Sequence, residues 1–150
     1  MAKAGYTATT GAAVATGTAL KTILSVICPA QFGCDLKKFR IGFDGITATA
    51  VPVLVELWRV TTDGTGTAGT VNHVDGRAIT AGFTSKYNYT VEPTTLTVVD
   101  SWSLSPTGGT ALYDFPLGES PDCDVSNGFA LRTTAAATVN ARATFWFERC

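Results

Sequence analysis

The chain has 150 residues with 11 lysines and arginines against 12 aspartates and glutamates, a formal net charge of −1; 15% of its residues are charged and 45% hydrophobic. That length suits one domain whose core forms without metals, burying roughly 68–70% of the surface that the unfolded chain exposes. The even charge balance excludes the basic footprint of a nucleic-acid binder, and so lightly charged a surface favours contact with neighbouring protein.

Taken in order, residues 1–17 are small and polar, and 1–20 are expected as a flexible N-terminal arm that orders on a partner. The domain is expected over 21–150. Residues 22–27, behind Lys21, are too short and too far in for a signal-peptide core, and no run reaches the ~20 apolar residues of a membrane-spanning helix. The reading is therefore a soluble protein made in a cytoplasm. Residues 21–28 are the first strand candidate, and Cys28 to Cys34 enclose a turn with Pro29 and Gly33.

The centre of the pattern is 41–59. Phe39, Ile41 and Phe43 alternate with Lys38 and Arg40, the period-2 sign of a half-buried strand. Asp44-Gly45 turns the chain, 47–50 form a small-residue bridge, and Pro52 opens a second strand. There Val51, Val53, Val55 and Leu57 make one face while Leu54 and Trp58 flank Glu56 on the other, predicting a central strand covered on both faces.

Residues 61–76 read as a long Gly/Thr-rich loop. Gly64, Gly66 and Gly69 fit G-x-G-x-x-G, but no helix follows to hold a pyrophosphate, so a surface hairpin loop is the better reading. Residues 85–91 and 96–104 alternate as strands, the second with Leu96, Val98, Trp102 and Leu104 sharing a face with Asp100. A turn at 106–109 leads to a short strand over 112–117 that Pro116 marks as an edge. A second loop spans 118–128, and strands follow at 129–133 and 139–147. No three-turn helix is evident. The pattern predicts an all-β, single-domain antiparallel β-sandwich of jelly-roll type with about eight strands.

His73 is the one histidine, with Asp75 nearby but no G-x-S-x-G nucleophile motif, so a solvated loop histidine is favoured over catalysis. Asp114, Glu119, Asp122 and Asp124 cluster in sequence without EF-hand spacing and read as solvated acids. Trp58, Trp102 and Trp146 read as packing residues rather than a sugar platform. Cys28, Cys34, Cys123 and Cys150 allow three disulfide pairings. Cys28–Cys34 is chosen for proximity and Cys123–Cys150 by elimination; they would stay reduced in a cytoplasm and oxidise outside it. Zinc is disfavoured because C-x2-C spacing is missing. No catalytic, cofactor-binding or metal residue is assigned, and no turnover is expected.

The stretches IGFDGITATAVPVLVELWR, TDGTGT, YTVEPT, FPLGE and NGFALRTTAAATVNARATFWFE, within 41–148, resemble small virion structural proteins of tailed bacteriophages. The resemblance implies a jelly-roll head-decoration (cement) or minor capsid protein, without enzyme activity or cofactor. It also implies a homotrimer seated on the major capsid protein or another virion protein, with no nucleic-acid or membrane partner. A carbohydrate- or receptor-binding β-sandwich module of a phage particle is the alternative, and a hydrolase has only scattered carboxylates behind it.

Overall fold

The computed structural model describes residues 5–45 and 51–150, apart from the side chains of Thr95 and Leu96. The small-residue bridge at 47–50 lies outside the described residues. Thirteen strands are present among the described residues: β1 (Gly5–Thr9), β2 (Val14–Ala15), β3 (Lys21–Ile27), β4 (Cys34–Asp44), β5 (Val53–Thr62), β6 (Thr65–Ala68), β7 (Val71–His73), β8 (Thr84–Val91), β9 (Thr94–Leu104), β10 (Thr110–Asp114), β11 (Asp122–Cys123), β12 (Gly128–Thr134) and β13 (Asn140–Arg149). One sheet runs β10-β4-β13-β1-β7, with β11 added on β4 and β2 on β13; the other runs β6-β8-β3-β12-β5-β9. Every pairing is antiparallel. The fold is thus the all-β sandwich that the alternation predicts, with thirteen strands rather than eight.

Alternation in the sequence builds the core directly. Phe39, Ile41, Phe43, Phe145 and Phe147 from the first sheet, with Val55, Leu57, Phe129 and Leu131 from the second, are buried in one cluster. Each such side chain contributes about 1.5–3 kcal/mol on leaving water. β4 departs from strict alternation at Lys37, where its pairing with β13 slips: Trp146 faces Lys38 but Phe147 faces Leu36. That bulge lets both Leu36 and Phe39 point inward although they are three residues apart.

Several expectations are corrected. Residues expected to form a flexible arm are structural: β1 lies between β13 and β7, and Tyr6, Ala8 and Val14 are buried in the core. Composition misleads here because two or three inward side chains suffice when both strand edges are hydrogen-bonded. The 61–76 loop contains β6 and β7, one in each sheet, because its threonines suit a pleated surface. Gly64 of the glycine-rich run has a packing role: a Cβ there would lie 2.0 Å from the Val91 carbonyl oxygen. The second loop, 118–128, likewise contains β11.

β5 has neighbours on both sides within its sheet, but its outer face is not covered: Leu54 is exposed, and Glu56 and Trp58 are half-buried. Its predecessor β4 belongs to the other sheet. On β9 the face assignment fails at Val98. A bulge in the pairing sets Asp100 opposite Leu57 but Val98 opposite Trp58, so Val99 packs on the core with Trp102 and Leu104 while Val98 is exposed.

Candidate functional site

The start of β4 gathers sulfur. Cys34 pairs with Cys123 of β11 on one side and with Arg149 of β13 on the other. Gly33 and Cys150 exchange two main-chain hydrogen bonds, each 3.2 Å. The turn after β3 returns Cys28 to the same place, its N–H donating to the Asn127 carbonyl at 2.8 Å. Gly33 is required by close approach, since a Cβ would lie 2.3 Å from the Cys123 carbonyl oxygen.

The Cys123 sulfur sits 3.4 Å from Cys28 Sγ and 3.4 Å from Cys34 Sγ. The three sulfurs all lie within 4.8 Å of one another, the one such group of three or more metal-ligating side chains among the described residues. Cys28, Cys34 and Cys123 are buried, Cys150 is exposed, and all four are free thiols. The expected pairing is not the one the fold favours: Cys123 stands between Cys28 and Cys34 instead of against Cys150.

Thiol hydrogen bonds from Cys28 and Cys34 hold Cys123 well below the ordinary cysteine value, against the opposing effect of burial; the Cys34 main chain and the Arg59 guanidinium add to the drop. Donation to Cys123 correspondingly pushes Cys28 and Cys34 far up, with burial adding to the rise. Cys150 is raised by burial and by Asp35 and Asp122.

An open cleft of about 660 Å³ leads to this cluster, lined by Gly33, Arg59, Asp122, Cys123, Asp124 and Cys150 among others. Arg59 Nε donates to the Asp122 carbonyl at 2.7 Å and its Nη2 lies 3.6 Å from the Asp122 carboxylate, fixing β11 beneath the cleft. Of the four acids grouped by the sequence, only Asp122 and Asp124 line this cleft.

The other sequence candidates are scattered. His73 stands on β7 with its ring 4.8 Å from that of Tyr6; Nε2 meets the Ile79 carbonyl and Nδ1 is buried without a partner among the described residues. Asp75 pairs with Arg77 rather than with His73. Trp102 is half-buried and stacks on Phe39 at 5.1 Å, as a packing residue should. Trp58 and Trp146 lie half-buried outside the core, with Arg132 5.4 Å above the first and Lys38 and Arg40 4.8 and 5.6 Å from the second. Sequence reasoning missed the three-sulfur cluster, whose signal was the placing of three cysteines at strand ends.

No protein-family model matches the chain, and no curated protein matches it. Among solved structures it is weakly similar to "Structure of infectious bursal disease virus Gt strain", with 14% identity, 97% of this chain and 40% of that chain covered, and a TM-score of 0.24. It is also weakly similar to the VP2 subviral particle of the same virus, with 12% identity, coverages of 96% and 41%, and a TM-score of 0.25. The Gx strain of that virus gives 16% identity, coverages of 96% and 40%, and a TM-score of 0.26. The chain spans about 40% of the length of these proteins. At such values the fold rests on the chain's own two sheets and not on these neighbours.

Proposed function

We propose that this chain is a non-enzymatic virion structural protein, a decoration (cement) or minor capsid component that seats on the major capsid protein as a homotrimer. The observation that carries the reading is the open edge at β10. β10 is last in its sheet and, among the described residues, pairs only with β4, leaving a row of main-chain groups for another chain. Large apolar side chains accompany it: Leu112 is 61% exposed, Tyr113 45% and Leu117 103%. Beside them a groove of about 380 Å³ runs between β9 and β10, lined by Phe39, Trp102 and Tyr113.

An apolar edge on a chain of net charge −1 suits lasting contact with protein, and the resemblance to tailed-phage virion proteins supplies the class of partner. The cations over Trp58 and Trp146 favour this reading over the carbohydrate-binding one, whose stacking platform needs bare rings. Light scattering across a concentration series, together with co-sedimentation on phage heads, tests it. A trimer that binds heads, with binding lost in Leu112→Asp plus Leu117→Asp, is the expected result. A 15.7 kDa monomer at high concentration removes the trimer, and head binding unchanged in the double variant removes the edge.

A further inference from the structure

We propose that Cys28, Cys34 and Cys123 bind a thiophilic divalent cation of the zinc class, with a fourth ligand drawn from the cleft. Tetrahedral zinc–thiolate bonds of about 2.3 Å place sulfurs about 3.8 Å apart. Two of the present separations are 3.4 Å and all lie within 4.8 Å, so an ion enters with shifts of a few tenths of an ångström at the two short contacts and of at most about 1 Å at the third. A disulfide uses two sulfurs at about 2.05 Å and strands the third. Three buried thiols around one point are a ligand set in number as well as in distance.

The fold holds these ligands from separate elements: the turn after β3, the start of β4, and β11. Sequence spacing of the C-x2-C kind is unnecessary because the Cys34–Cys123 bridge does its work. Cys150 is tethered by its main chain to Gly33, beside Cys34, and lines the same cleft as Cys123. The register of β13 turns its side chain to the outer face of the sheet beside Asp35, so its sulfur stays outside the ligand set. The cleft gives the ion a path from solvent, and Asp122 and Asp124 at its mouth attract a cation. Arg59 offsets the surplus negative charge of a thiolate site and, through the Asp122 carbonyl, orients the strand carrying Cys123. Binding releases the thiol protons to solvent and involves no change of oxidation state. Its role is structural, joining β4 and β11 of one sheet to the turn after β3 of the other at one end of the sandwich.

The test uses the full chain, reduced and freed of metal under anaerobic conditions, and titrated with cobalt(II) and then zinc(II). The expected result is one cobalt per chain with thiolate-to-metal charge-transfer absorption, bleached by zinc. Zinc should raise the melting temperature on the order of 5–10 °C. Cys123→Ser should weaken binding by roughly 10–100-fold, while Cys150→Ser, a change on the outer face, should leave stoichiometry and affinity unchanged. Absence of both the charge-transfer band and the thermal shift in the wild-type chain overturns the proposal, whatever the variants do. So does tight binding that survives Cys123→Ser, or a Cys28–Cys123 or Cys34–Cys123 disulfide in protein isolated without reductant.

Discussion

Tyr89 shows how one residue ties pH to stability. Its ring is buried on the outer side of the second sheet, its hydroxyl donating to Asp63 Oδ1 at 2.6 Å and meeting Ser25 Oγ. Burial first, and then the Asp63 carboxylate, push its pKa far above the ordinary value of about 10. The folded pKa is raised, so this contribution is intact below about pH 10 and is lost as pH rises from there toward the folded value. The unfolded chain releases the proton while the folded chain keeps it, at up to about 1.4 kcal/mol per pH unit. Tyr89→Phe should therefore cost about 1–2 kcal/mol at pH 8, with the gap to wild type narrowing at pH 11. Urea unfolding at the two pH values checks this, and a constant gap would refute it. Residues of this kind were only partly legible: alternation put Tyr89 on a strand face, but its partner Asp63 lay in a stretch read as loop. The cysteines were harder still, because Cys34 and Cys123 are 89 positions apart and only strand pairing joins them.

Among the elements, β1 departs furthest from its sequence. GYTAT has one large apolar group, and that group, Tyr6, packs its ring against His73, Phe83 and Phe147 at 4.8, 5.3 and 5.8 Å. Tyr6→Ala should cost about 3–5 kcal/mol, as for other large buried aromatics, and removal of residues 1–17 should abolish the cooperative urea transition. A truncated chain that unfolds at the wild-type midpoint would return this segment to the role of an arm. Elements with long alternation, β4, β5 and β13, were readable because the period of two is enforced by the core. The short strands β2, β6, β7 and β11 were not, since two to four residues carry no period. Bulges on β4 and β9 change which side chains point inward, and a bulge depends on the partner strand, which no local pattern contains.

At the scale of the whole molecule, the sandwich followed from many alternating runs with turn residues between them and no helical period, whereas the assignment of strands to sheets did not. β4 and β5, neighbours in sequence, fall in different layers, while β1 meets β13 with Gly5 opposite Glu148. That last pairing has a consequence for how the protein is born. On the ribosome β1 emerges early, yet both of its neighbours come later, and one of them only when residue 148 has been made. Tyr6 must spend that interval in water or on a chaperone, so the first sheet closes after translation rather than during it. Folding should accordingly be slow for the chain's size, in the millisecond-to-second range of proteins built on distant pairings. In refolding with pulsed hydrogen exchange, the amides of β1 should become protected together with or after those of β13; protection of β1 ahead of β13 would contradict this order.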